Sequence, residues 1–174
     1  DMLALMHIHY DTGRAVQHGE ELMRFINLVA RDTSISLAKG RAPYPAFTGE
    51  GEVFQCRNAT RTCIAPTGTI SIIAGASGGI EPHYALEWTR LLNAGVKEKE
   101  ETIIEKIGVW NELEGFVPKV ANEIPLQWHV RHQAAFQKHT DLAVSKTINL
   151  PNVATKEDIS SAYELMWKLG CKGG

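Results

Sequence analysis

The chain has 174 residues, 44% of them hydrophobic and 22% charged, with a formal charge of −2. That length is enough to bury one domain's core, and the balance excludes both a disordered chain and a cationic nucleic-acid-binding surface. No apolar run nears the ~20 residues of a membrane span, residues 1–6 are too short and lack the basic leader of a secretory signal, and three cysteines make no disulfide framework; a reducing cytoplasm is the expected setting.

The elements follow in chain order. Over 20–37, Leu22, Phe25, Ile26, Val29 and Ala30 recur at intervals of three and four, which predicts a helix with these residues as its buried face. Residues 39–45, with Gly40, Pro43 and Pro45, break it. Cys63-Ile64-Ala65 reads as a short strand, and Pro66 opens a turn into a helix that carries Ile70, Ile72 and Ile73. Residues 84–92 read as extended. Residues 97–107 read as a charged helix with Ile103, Ile104 and Ile107 on its apolar side and Gly108 at its end, followed by a second helix at 110–115.

Pro125 opens a helix through 138, and 144–150 has strand composition. In the last helix Thr155 is the cap, Asp158 takes the capping-box position, Ile159, Ala162, Tyr163, Met166 and Leu169 form the stripe, and Gly170 ends it. Strands alternating with helices predict an α/β fold of parallel strands covered by helices, as a single piece over 1–174 with no repeat and no linker.

Ala65-Pro66-Thr67-Gly68-Thr69-Ile70-Ser71 is the most informative stretch. The first N–H groups of a helix have no intrahelical partner, and the peptide dipoles concentrate positive charge there. An anion can bind those amides, with Gly68 permitting close approach and Thr67, Thr69 and Ser71 offering hydroxyls. The absence of a Gly-Lys-Ser/Thr ending separates the segment from the P-loop pattern. The alternative is a self-contained capped turn, whose hydroxyls satisfy only their own helix.

The sequence from Arg57-Asn58-Ala59-Thr60 through Ser71, continuing to Gly79-Ile80-Glu81-Pro82, resembles the large catalytic subunit of ribonucleotide reductases. Gln133-Ala134-Ala135-Phe136-Gln137, Val144-Ser145-Lys146-Thr147-Ile148-Asn149-Leu150-Pro151 and Trp167-Lys168-Leu169-Gly170-Cys171-Lys172-Gly173 follow in the order of the adenosylcobalamin-dependent, class II branch. The resemblance implies part of a ten-stranded α/β barrel in which Pro66, Thr67, Gly68, Thr69 and Ile70 hold the phosphates of a ribonucleotide. There a cysteine thiyl radical abstracts the ribose 3′ hydrogen. It also implies adenosylcobalamin as cofactor, although no cobalamin-ligand motif is visible; a class I, diiron-partner enzyme is the near alternative.

The radical cysteine, with its neighbouring asparagine and glutamate, belongs in that family to an earlier segment, and no Asn-x-Cys-x-Glu arrangement occurs here. The expectation is therefore a fragment that supplies no catalytic residue, is inactive alone, and acts with the remainder of the reductase chain. An incomplete barrel leaves strand edges that invite oligomerisation. The remaining alternative is a non-catalytic α/β module that works only with a partner chain.

Other residues carry weaker signals. Ser71 and Glu81 are candidate pocket residues, Glu81 either as a general base or as a shaper of the barrel end. Lys146 is either ligand-facing or an edge-strand charge. His129, His132 and His139 share a helix, but no further ligand completes a metal site, and a solvated or core-edge face is the expectation. Cys56 and Cys63 read as small buried thiols, and Trp88, Trp110, Trp128 and Trp167 as packing residues. The run 97–101 reads as a solvated helix start.

Overall fold

The computed structural model describes residues 1–49, 54–92 and 101–174. A short helix α1 (Met2–Leu5) precedes α2 (Gly13–Arg41), whose Thr12 cap accepts the Ala15 amide at 3.2 Å. Lys39 and Arg41 stand in its last turn, where cations suit the helix dipole, and Pro43 prevents continuation. The helix is thus longer at both ends than its apolar repeat suggests.

Its inward face is not the expected one. Ala15, Gly19, Met23, Ser34 and Ala38 are buried, whereas Phe25 is 64% exposed and Leu22, Ile26 and Val29 also face outward. The small-residue side packs on α4 (Leu126–Gln137) because Gly19 admits the Phe136 ring, with only 2.5 Å between Phe136 Cε2 and the place a Cβ would occupy. Gly19→Ala is therefore expected to cost about 1–3 kcal/mol of stability through overpacking, read as a lowered denaturation midpoint.

Pro125 stands at the α4 N-terminus, as expected, and α4 packs in turn on α5 (Lys156–Lys168). The α5 capping box is present: Thr155 Oγ1 accepts the Asp158 amide at 3.3 Å, and an Asp158 carboxylate oxygen accepts the Thr155 amide at 2.8 Å. Gly170, at φ 78°, terminates the helix in the left-handed region. Of the expected stripe, Ala162 and Met166 are buried, while Ile159 and Tyr163 are exposed; Trp167, read as a packing residue, is also exposed.

The predicted helix over 97–107 is overturned for its described part. Glu101–Lys106 is strand β2, paired antiparallel with β1 (Glu87–Leu92) so that Glu87 faces Lys106. β-Branched Thr102 and Ile104 suit a pleated surface better than a helix. The charge run at 97–100 lies outside the described residues. The second predicted helix shrinks to a single 3₁₀ turn at Trp110–Glu112. Ile107, Val109, Leu113 and Ala4 form a small core beneath the hairpin.

The α/β expectation holds as a mixture of helices and sheet, but the barrel is not closed. Parallel pairing among the described residues is confined to the Ile64–Val144 bridge, and the strand expected over 144–150 reduces to that contact. Among the described residues no helix is long and apolar enough to cross a membrane.

Candidate functional site

The site begins at the parallel bridge. The Ile64 amide donates to Ala143 O at 3.3 Å and the Ser145 amide to Ile64 O at 2.8 Å, which fixes the strand that delivers Pro66. Thr67 then takes the left-handed conformation, φ 54° and ψ 24°, and α3 (Gly68–Ala74) starts at the next residue. For a β-branched residue this backbone state is strained by about 1–2 kcal/mol.

Thr67 does not cap α3. Its Oγ1 instead accepts the Gly79 amide at 2.9 Å, and Ser71 Oγ donates to Gly68 O at 2.8 Å. The first intrahelical bond runs from the Ser71 amide to Thr67 O at 2.9 Å, and among the described residues no group accepts from the amides of Gly68, Thr69 or Ile70. All three residues are exposed. The junction thus leaves three N–H donors open at the positive end of a helix; the Thr67 hydroxyl is engaged outside that helix by Gly79, whereas the Ser71 hydroxyl bonds within it.

Beside it lies a cleft of about 610 Å³, bordered by Pro66, Gly68, Ser71 and Glu81 on one side and by Trp88 and Gly108 on the other. Thr67, Thr69 and Ile70 do not line it. Gly108 is required there, because a Cβ would fall 2.3 Å from the backbone oxygen of Gly75.

Behind the cleft is a polar network centred on a buried lysine. Glu81 Oε2 receives the Lys146 ammonium at 2.5 Å, and Glu81 Oε1 accepts the Thr147 amide at 2.6 Å. Lys146, whose side chain is 0% exposed, also reaches His129 Nδ1 at 3.0 Å and Thr147 O. The reading of Lys146 as an edge charge is corrected: it is a buried cation with three acceptors for its three protons. Burial pulls its pKa below the ordinary lysine value against the opposing pull of Glu81. Tyr10 lies against the same group, with its phenol donating to Ile80 O at 2.9 Å and its pKa raised first by burial and then by the Glu81 charge.

The histidines are not solvated. His129 and His132 are 0% and 2% exposed. The network assigns the His129 proton to Nε2, which donates to Ala121 O at 3.2 Å, and His132 Nε2 donates to Tyr10 O at 2.8 Å while its ring stacks on Tyr10 at 3.7 Å between centroids. His139 stands apart, 3.7 Å from a Glu20 oxygen. Among the described residues no group of three metal-ligating side chains converges. Cys56 is buried as expected, but Cys63 is exposed.

Sequence reasoning missed two participants. Tyr10 carries no local signal, and the Arg61–Asp141 pair spans 80 residues: Arg61 Nε reaches Asp141 Oδ2 at 3.0 Å and Nη2 reaches Oδ1 at 3.1 Å.

A family model described as "Ribonucleotide reductase, barrel domain" matches residues 51–174. The vitamin B12-dependent ribonucleoside-diphosphate reductase of Thermoplasma acidophilum is 41% identical over 202 residues, which cover 99% of this chain and 26% of that protein. The protein of the same name from Mycobacterium tuberculosis is 38% identical over 200 residues, covering 99% of this chain and 29% of that one. Among solved structures, the Actinobacillus ureae class Id ribonucleotide reductase alpha subunit superposes with a TM-score of 0.71 over 98% of this chain and 35% of its own, at 17% identity, a likeness of fold. The chain spans about a quarter of the length of the curated relatives it matches. On the matched barrel-domain residues and the identity to these reductases, the chain belongs to the ribonucleotide reductase barrel-domain family.

Proposed function

We propose that this chain is the phosphate-anchoring part of a vitamin B12-dependent ribonucleotide reductase, which converts ribonucleoside diphosphates to deoxyribonucleotides. The observation that carries the reading is the set of three open amides at Gly68, Thr69 and Ile70 beside a cleft large enough for a nucleotide. Pro66 and the left-handed Thr67 set the turn, the amides donate to the phosphate oxygens, and Ser71 and Glu81 border the space beyond. Anchoring of this kind is positional: it holds the ribose where a radical on another segment can reach it.

The relatives' names favour the B12 branch over the class I alternative. The residues described here do not themselves fit a corrin. Both imidazoles of the buried network are committed to backbone carbonyls, and no metal-ligating cluster forms among the described residues. We therefore assign the cofactor, like the radical cysteine, to the remainder of the reductase. We also read the outward apolar stripe of α2 as a surface covered by that remainder, and three free thiols suit a reducing cytoplasm.

The test is Thr69→Pro in the full-length reductase. Proline is tolerated in the first helical turn, so the change deletes one unused N–H and leaves α3 in place. The KM for a ribonucleoside diphosphate is expected to rise about tenfold, the worth of one hydrogen bond to a charged group. An unchanged KM would count against the anchoring role.

A further inference from the structure

We propose that the pair formed by buried Lys146 and half-buried Glu81 is a positioning element for the nucleotide's phosphates: it fixes the turn 78–81, which holds Thr67 in its left-handed state and keeps the α3 amides open. The inference rests on the phosphate-anchoring reading and adds the residues that build the anchor.

The connection is continuous. The Glu81 carboxylate is gripped from two sides by one segment, the Lys146 ammonium at 2.5 Å and the Thr147 amide at 2.6 Å. The Glu81 amide closes the turn on Gly78 O at 3.1 Å, and inside that turn Gly79 stands at φ 51°. The Gly79 amide then donates to Thr67 Oγ1 at 2.9 Å, and this bond takes up the hydroxyl that would otherwise cap the helix. The turn lies directly on the loop, for a Cβ at Gly78 would be 3.4 Å from Ser71 Oγ and 3.5 Å from both Pro66 O and Thr67 Oγ1. Tyr10 secures the turn once more through Ile80 O.

An ion pair with a fully buried lysine is an inefficient source of stability, because the desolvation of that ammonium offsets much of the attraction, whereas the pair does select one geometry among several. Here the selected geometry ends at a strained residue whose hydroxyl is occupied and whose following amides are free. Lys146 is a positioning residue, since it reaches the amides only through Glu81, the turn and Thr67.

The experiment measures KM and kcat of the full-length reductase for a ribonucleoside diphosphate in Lys146→Met, Thr67→Val and the double variant. Each single change is expected to raise KM about tenfold while kcat stays within about twofold. The double variant is expected to be no worse than the poorer single one, since both act on one linkage. A purely structural role for Lys146 would instead give effects that multiply, and that result overturns the proposal, as does an unchanged KM in Lys146→Met. Should Lys146→Met fail to fold, Glu81→Gln carries the same cycle, because its amide oxygen still accepts the Thr147 amide. Thr69→Pro separates the two ideas. If it leaves KM unchanged, the anchoring reading fails; if it raises KM while Lys146→Met and Glu81→Gln do not, only the positioning role fails.

Discussion

Lowering the pH from about 6.5 to about 4 is expected to destabilise this chain by roughly 3 kcal/mol for each of the two histidines that face Lys146, His129 and His132. Burial is the main cause in both, pulling their pKa values from 6.5 to about 4. For His129 the Lys146 charge adds to it and the bond to Ala121 O opposes it; for His132 the bond to Tyr10 O opposes burial and the Lys146 charge assists it. A histidine depressed in the folded state binds its proton more readily when unfolded. Its contribution is therefore complete above pH 6.5 and is lost as the pH falls toward the folded-state value near 4. Glu81 is the negative group within this network, and it is already engaged by Lys146.

Urea midpoints of the full-length protein, followed by tryptophan fluorescence at a series of pH values, should show this loss. His132→Gln, which retains an N–H for Tyr10 O, should remove the part of the slope that belongs to that ring and leave the parts due to His129 and to His83, whose pKa burial also lowers to about 4. A flat profile across the window would refute the assignment of these rings as neutral buried donors. A second consequence follows from the 3.0 Å between His129 Nδ1 and Lys146 Nζ: a proton placed on Nδ1 sets two cations against each other, so nucleotide affinity should weaken over the same range.

The parts of this fold that were legible in the sequence are those whose cause is local. Thr155 with Asp158 and Gly170 define α5 because caps act within one turn of the chain, and Pro125 marks the start of α4 for the same reason. The Pro66–Ser71 junction was legible as a loop entering a helix. What Thr67 does there was not, since its hydroxyl is claimed by Gly79, twelve residues on. The stripe of Leu22, Phe25, Ile26 and Val29 predicts a buried face because a 3.6-residue period reports that a face seeks a partner, not where the partner lies; in this chain that face is open. Residues 101–106 satisfied a helical spacing and a strand composition together, and pairing with Glu87–Leu92 decided between them. Lys146 looked like a surface charge because its counter-ion lies 65 residues away.

Asp141→Ala is expected to cost about 2–3 kcal/mol, because it strands a largely buried guanidinium. Asp141 accepts from four donors: the Arg61 amide at 2.6 Å, Arg61 Nε and Nη2, and Asn27 Nδ2 at 3.3 Å. Burial pushes its carboxyl pKa upward, but the hydrogen bonds and charge of Arg61 outweigh burial and hold it below the usual carboxylate range. Its contribution is thus present above the unfolded value of 3.8 and is lost only as pH falls through the lower folded-state value, below the histidine window. Arg61→Lys should recover only part of the loss, since an ammonium cannot reproduce the two-pronged fork.

The effect should also reach the candidate site. The Asp141 amide donates to Thr62 Oγ1 at 3.1 Å, and the next bonds of the same ladder, Leu142 to Thr62 O and Ile64 to Ala143 O, set the register that delivers Pro66. A stability change within about 0.5 kcal/mol for Asp141→Ala would reduce the pair to an ordinary surface contact. A loss of the expected size, accompanied by a higher KM for the nucleotide, would mean that the strand register and the open amides of α3 are maintained by the same joint.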